Sequence, residues 1–415
     1  MTAHTIPSLI ERHSKNNIFI IAEAGTAHLG SLERALTLID ACASAGAHAL
    51  KFQYIIADEI IHPDTGKVSL PSGNIDLYSR FRELERPPSF YRSLKEHCEK
   101  CGVLFLCSSF GPESTERLTE MDAAAYKLAS PELNYRPLLD RIAEGGKPVF
   151  VSTGMATFSD IAMCMKRLSP PLTPDQICFL QCVTSYPAPP EEYNLLTLRT
   201  IASKTGTFAG ISDHSADPFL VPGTAAVLQS FLGKPFILEK HVTLNRKGGG
   251  LDDPFSIDVR ELSELTRKLP VLCHNGTQHL KEHRTEVVDI IGSLENDKRQ
   301  DLRSLSSHIQ NVLSTHNDTL IATILGSGVK EPSPSEREHV RTTRRSLRAI
   351  RDIKSGETIT DQNARYLRSE KNCAPGIPCP DQEILGQACA ARDIPDGEAI
   401  TAENITIRFY PPEAD

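Results

Sequence analysis

Two short stretches, GISDHS and FILEKHVTL, each end an apolar run on a histidine, His214 and His241, with a polar residue two positions earlier, Ser212 and Glu239. Residues two apart on a strand point to the same side, so each pair projects together. Two imidazoles at neighbouring strand ends can share one divalent ion and leave positions open for water or a substrate oxygen. For a lone histidine the plainer reading is a hydrogen-bonded core residue. Lys51 in ALKFQ and Lys127 in AYKLAS sit inside apolar runs, where an ammonium without a partner is expensive. Together with Ser130, Ser152 and Ser212 they converge cations and hydroxyl donors, the chemistry of a phosphate cradle. Glu23 in IIAEAG, Glu132 in ASPEL and Asp252 in GGGLDDPF add carboxylates at strand ends or in the loop beyond the last strand. Such a group moves a proton or holds a hydroxyl. Helix capping or support of a ligand is the plainer role, most apt for Asp252 and Asp253.

The elements that must position these groups are legible as eight apolar runs: IFIIAEAG, HALKFQY, VLFLCSSF, AYKLAS, PVFVSTG, ICFLQCVTS, FAGISDHS and PFILEKHVTL. Amphipathic segments such as SLERALTLIDACASAG and NYRPLLDRIAEGG separate them, several closing on glycine as helix ends prefer. Eight parallel strands alternating with helices predict a (β/α)8 TIM barrel, whose active-site rim is the C-terminal end of the strands. An open doubly wound sheet is disfavoured, because no GxGxxG follows the first run and polar groups end every strand instead of clustering at one switch point. Lys51 with Gln53, Ser212 with His214 and Glu239 with His241 are then aimed at one mouth.

From about residue 258 to 330 the pattern turns helical and polar, and VKEPSPSEREH reads as a linker. The last segment holds an internal echo, DIKSGETITDQN from Asp352 and DIPDGEAITAEN from Asp393, which predicts a small duplicated β-rich domain. Of the 415 residues 40% are hydrophobic and 24% charged, the balance of a soluble globular protein. A net charge of -8 with no long basic run argues against nucleic acid. The N-terminus lacks a targeting pattern and no stretch approaches the roughly 20 apolar residues that span a bilayer, so a cytoplasmic protein with no membrane anchor is expected. Eleven cysteines at irregular spacing imply no disulfide framework, and the lone CxxC of Cys98 and Cys101 lacks the second half of a zinc site.

The stretches IIAEAGTAHLGSLERALTLIDACASAGAHALKFQ, YKLASPELNYRPLL, GKPVFVSTGMAT, CVTSYPAP, GISDHS and LEKHVTL together resemble the sialic acid synthase family, including the legionaminic and pseudaminic acid synthases. The tail with TTRRSLRAIRDIKSGETIT resembles that family's antifreeze-like SAF domain, a β-clip. The resemblance implies a barrel over 1–270, a helical insertion and linker over 271–340 and an SAF domain over 341–415. It implies metal-dependent condensation of phosphoenolpyruvate with an open-chain N-acylated hexosamine, either N-acetylmannosamine or a diacetamido-trideoxy hexose. The products would be a nine-carbon 2-keto-3-deoxy sugar acid and phosphate.

By motif, Lys51, Ser108, Lys127, Ser130, Ser152 and Ser212 would hold phosphoenolpyruvate, and His214 and His241 a divalent metal, manganese foremost, with magnesium or cobalt as alternatives. Glu23 would sit near the reacting carbons and Glu132 would handle the attacking water. Gln53, Asn74, Tyr186 and Asp252 would line the sugar. Arg344 or Arg345 would reach the sugar's N-acyl group from a domain that caps the partner's barrel in a domain-exchanged homodimer. Where the family commonly reads Asn-His-x-Gly this chain has Ala27 before His28, and Thr184 stands where an asparagine is often found. Two other classes are open: a metal-dependent barrel aldolase or hydrolase that does not use phosphoenolpyruvate, and a non-catalytic carbohydrate-binding protein. Retention of activity in Lys51→Ala would mark the first, and sugar binding independent of phosphoenolpyruvate the second.

Overall fold

Each of the eight apolar runs forms a strand in the computed structural model, which describes residues 5–70, 73–294, 299–314, 318–370, 372–379 and 384–407. They are β1 (Ile18–Glu23), β2 (Ala49–Gln53), β3 (Leu104–Ser109), β4 (Tyr126–Leu128), β5 (Val149–Ser152), β6 (Ile177–Gln181), β7 (Phe208–Asp213) and β8 (Phe236–Thr243). All neighbours are parallel and β8 returns to pair with β1, from Ile18 opposite Phe236 to Glu23 opposite His241, which closes the barrel. With helices outside and the sheet closed, almost every strand residue is buried, so the runs read as continuously apolar and not alternating.

Period two sorts the barrel interior into layers. Phe19, Ile21, Ala49, Leu106, Phe150 and Ile237 form an apolar inner cluster, and Ile6, Leu9 and Ile10 of the N-terminal helix close its floor. Two residues further along the same strands stand Glu23, Lys51, Ser108, Ser152 and Glu239, and two beyond Lys51 and Glu239 stand Gln53 and His241. Thus the side that packs the floor also carries the polar rim, with no change of register.

The eighth barrel helix, α1 (Val259–Glu282), runs straight through the expected boundary at 270/271 and packs on the helix Leu220–Phe231. Three more helices follow, α2 (Arg284–Ser293), α3 (Arg299–Leu313) and α4 (Asp318–Leu325). Val287, Leu305, Ile309, Ile321 and Ile324 are fully buried in the same core as the barrel's outer helices, so this segment is packed against the barrel. Nor is the Pro- and Ser-rich stretch after it loose. Glu336 is buried and its Oε1 accepts from the amides of Met155 and Thr184, both at 2.7 Å. One carboxylate thereby satisfies two backbone donors in the loops after β5 and β6.

The C-terminal part has two small antiparallel sheets, β9 (Arg345–Ala349) with β10 (Ala364–Arg368), and β11 (Ala388–Ala390) with β12 (Ile405–Ile407). The two copies of the internal echo face each other: Ile353 and Ile394 exchange both backbone hydrogen bonds at 2.8 Å. Asp352 accepts from the Asp396 amide and Asp393 from the Ser355 amide, each at 2.9 Å. This lobe closes the mouth of its own barrel. Arg365 donates to the Asp58 carbonyl at 3.0 Å and His62 contacts Asp396 at 3.1 Å, so within the single chain the lobe packs on its own barrel. All eleven cysteines are free thiols; Cys98 is buried in the core and Cys101 lies beside Asp40 just past the end of its helix. Among the described residues no helix is long and apolar enough to cross a membrane.

Candidate active site

At the C-terminal ends of the strands lies a cavity of about 280 Å³, covered by the C-terminal lobe. Its floor is an ionic network. Lys51 Nζ lies 2.8 Å from Glu23 Oε2, 3.2 Å from Ser108 Oγ and 3.7 Å from Glu239 Oε1. Lys127 Nζ lies 3.7 Å from Glu239 Oε2 and donates to Ser152 Oγ at 2.7 Å. Ser212 Oγ donates to Glu239 Oε1 at 2.9 Å. Strand register makes this geometry, since Glu23 is opposite Lys51, Ser108 opposite Lys127, and Glu239 opposite Ser212. Burial disfavours both ammonium ions; for Lys51 the charges of Glu23 and Glu239 outweigh it and hold the pKa above the ordinary value, whereas Lys127 is left below it. Burial also acts against ionised Glu239, and Lys127 and Lys51 overcome it, keeping that carboxylate charged.

The histidines stand beside this network with ring centroids 5.4 Å apart. His214 Nδ1 lies 2.8 Å from the Val183 carbonyl. A carbonyl only accepts, so Nδ1 carries the proton and Nε2, 3.3 Å from Ser212 Oγ, keeps its lone pair. His241 Nδ1 is buried with no hydrogen-bond partner. Burial lowers the pKa of both, and each is neutral at pH 7. Tyr186 packs on His214 at 4.4 Å and Phe255 on His241 at 5.1 Å, which fixes both rings. Two oriented neutral imidazoles, one fixed by a carbonyl and one with an unpaired nitrogen, are a donor set that fits a divalent transition metal.

Asp252 completes the rim. Gly25, at φ +47, brings the loop after β1 so close that a Cβ there would collide with the Asp252 carboxylate. Asp252 Oδ2 accepts from the Thr26 amide at 3.3 Å. Burial, and then the charge of Glu23, raise this carboxyl to about 7, against the Thr26 hydrogen bond. Because the folded pKa is raised, the group's stabilising contribution is full below roughly pH 4 and is lost as pH rises through about 7. The loss approaches on the order of 4 kcal/mol. Asp252→Asn should therefore flatten the decline in urea-unfolding free energy between pH 5 and pH 8 in chelator-treated protein; parallel curves for the two proteins would count against a half-buried, proton-holding Asp252.

Glu23, Lys51, Gln53, Ser108, Lys127, Ser130, Ser152, Tyr186, Ser212, His214, His241 and Asp252 all line the one cavity. Four expected residues do not. Asn74 is exposed on the hairpin of strands Lys67–Leu70 and Gly73–Asp76, and it does not line the cavity. Glu132 is fully buried, with Oε1 held by Arg345 at 3.0 Å and by Arg368 at 2.8 Å, and Oε2 by Arg368 at 3.0 Å. With both oxygens engaged by guanidinium groups it is a structural anchor and not a base for water. Arg344 pairs with Asp160 at 2.9 Å. Arg345 is sealed against Glu132 and the carbonyls of Glu59, Phe110 and Tyr366. Among the described residues, the arginine of the C-terminal lobe that lines the cavity is Arg368.

Glu239, aimed at the same mouth by its position two before His241 but given no role by the resemblance, also lines the cavity. Its place between the two lysines makes it central. Thr184, where an asparagine is common in the family resembled, lines the cavity with its hydroxyl unpartnered.

The profile of the NeuB family matches residues 38–280. Pseudaminic acid synthase from Campylobacter jejuni is 29% identical over 94% of this chain and 96% of its own. N-acetylneuraminate-9-phosphate synthase from Homo sapiens is 32% identical over 60% of this chain and 69% of its own. Among solved structures, the spore coat polysaccharide biosynthesis protein SpsE from Bacillus subtilis superposes with a TM-score of 0.72 at 28% identity, covering 94% of this chain and 96% of that one.

Proposed function

Since this chain belongs to the NeuB family, we propose that it condenses phosphoenolpyruvate with an open-chain N-acylated hexosamine, yielding a nine-carbon 2-keto-3-deoxy sugar acid and phosphate. The observation that carries the reading is the pair of buried lysines, Lys51 and Lys127, with Ser108, Ser130, Ser152 and Ser212 around one cavity. A buried ammonium pair is costly unless an anion uses it. In the free protein Glu23 and Glu239 balance the two lysines. The phosphate and carboxylate of phosphoenolpyruvate would compete with Glu239 for them.

C3 of phosphoenolpyruvate bonds to the aldehyde carbon, the aldehyde oxygen gains a proton, water adds at C2, and phosphate departs to leave the 2-keto group. Asp252, poised near 7, is suited to give the proton to the developing alkoxide. Glu23, which lines the cavity where Glu132 does not, would take the role with water, its carboxylate oriented by Gln53 at 2.9 Å and by Lys51. Gln53 and Tyr186, which line the cavity with Arg368, would bind the sugar.

Two lysines matched by two carboxylates leave no surplus positive charge for a highly anionic substrate, which supports a divalent ion at His214 and His241. Manganese, magnesium or cobalt there would supply Lewis-acid polarisation of the aldehyde oxygen. The acceptor class is N-acetylmannosamine or a diacetamido-trideoxy hexose, in keeping with the products named for the relatives. The test is phosphate release from phosphoenolpyruvate with Mn2+ over a panel of these sugars. Release is expected only with an acceptor, and it should vanish on chelation and return with added metal. Sugar-independent release, or none with any acceptor, would reject the reading.

A further inference from the structure

The end of the last barrel helix and the helices that follow it carry a histidine cluster that the barrel chemistry does not use. His279 lies near the end of α1, His283 in the junction between α1 and α2, Glu286 in the first turn of α2, and His308 in the middle of α3. His308 Nε2 is 3.4 Å from Glu286 Oε1, and His283 Nδ1 is 4.0 Å from Glu286 Oε2. One donor atom from each of His283, Glu286 and His308 lies within 4.8 Å of the others. Around a tetrahedral zinc, bonds of about 2.0–2.1 Å set neighbouring donors about 3.3 Å apart. The His308–Glu286 separation already matches, and His283 and Glu286 are exposed side chains free to close the remainder by rotation.

A second layer is present as well. His279 Nε2 contacts His308 Nδ1 at 2.9 Å, so with the proton on His308 Nδ1 that bond would turn His308 Nε2 towards Glu286. His279 is itself stacked on Phe231, a core residue of the helix Leu220–Phe231, with centroids 5.8 Å apart. Three imidazoles are gathered there with ring centroids 4.4 to 5.5 Å apart. Imidazoles beside a carboxylate are the donor set of zinc and its neighbours.

We propose that His283, Glu286 and His308, with His279 as the positioning residue, form a second divalent metal site of the zinc class that pins α1, α2 and α3 together, separate from the barrel cavity. The inference does not depend on the proposed reaction.

The experiment uses the full chain carrying His214→Ala and His241→Ala, so that the barrel pair cannot contribute, stripped with chelator and titrated with Zn2+ by calorimetry. One equivalent is expected to bind with micromolar or tighter affinity. Binding should weaken at least about 30-fold on adding His283→Gln with Glu286→Gln, whose exposed positions keep the fold intact. Zn2+ should raise the melting temperature of the parent and not of that variant, and Co2+ should give the visible absorption of a low-coordinate ion in the parent alone. Unchanged affinity in the His283→Gln, Glu286→Gln protein, or no binding to the parent up to millimolar Zn2+, overturns the proposal.

Discussion

Lys51→Ala should lower acceptor-dependent phosphate release by about 10³-fold or more, the scale seen when one pre-organised electrostatic group is removed from a closed site. Lys51 is the group on which Glu23, Glu239 and Ser108 all converge, so its loss removes a positive charge from the anion site and frees two carboxylates to repel phosphoenolpyruvate. The fold should survive. Burial raises the pKa of Glu23, with Glu239 adding to the shift against Lys51, so without the ammonium Glu23 can take up a proton and avoid an unpaired buried charge. The check is steady-state phosphate release beside a denaturation curve. Loss of activity with a near-normal unfolding midpoint fits the anion-site role. A folded Lys51→Ala protein that retains activity would instead fit a hydrolase or aldolase that needs no dianion cradle.

Arg345→Leu is expected to be the most damaging substitution outside the cavity, at about 3–5 kcal/mol of folding stability, the usual cost of removing one partner from a buried ion pair. The Arg345 guanidinium is fully buried, lies 4.6 Å over the Tyr135 ring and joins Glu132 to carbonyls of both the barrel and the lobe. Its removal leaves Glu132 with Arg368 alone, and it leaves the Glu59 and Phe110 carbonyls without their donor. Arg368 would then be drawn further towards Glu132 and away from the cavity, so KM for the sugar should rise in whatever fraction folds. A double-mutant cycle with Glu132→Gln isolates the pair: the combined loss should be well short of the sum of the single losses. Additive losses would mean that Arg345 acts through its carbonyl contacts and not through Glu132.

Much of this was legible in the residues. A (β/α)8 barrel needs eight apolar runs at helical separation, and period two then assigns each polar residue near a strand end to the inner or outer face without any coordinates. That is why Glu23, Lys51, Gln53, Ser108, Lys127, Ser152, Ser212, His214 and His241 arrived at one cavity. Glu239 obeys the same rule, but only the folded chain sets it between the two lysines.

The residues that went elsewhere lack such a rule. Glu132 lies in a short turn after β4, where one dihedral decides whether a side chain faces the cavity or the lobe, and the two guanidinium groups that claim it come from β9 and β10, more than two hundred positions away in sequence. The hairpin holding Asn74 is likewise placed by packing and not by periodicity. The Pro- and Ser-rich stretch has the composition of a linker because composition reports local preference, whereas Glu336 is held by amides that appear only once the barrel loops exist.

By itself, then, the sequence determined the strands, the parity of their side chains, the duplicated tail and the chemical inventory of the mouth, because strand geometry is local and repeats every two residues. Only the tertiary structure decided which charges neutralise one another, which arginine enters the cavity and that the lobe can close its own barrel. Those outcomes follow from desolvation and Coulomb attraction between groups distant in the chain, and both act through distances that no local pattern encodes.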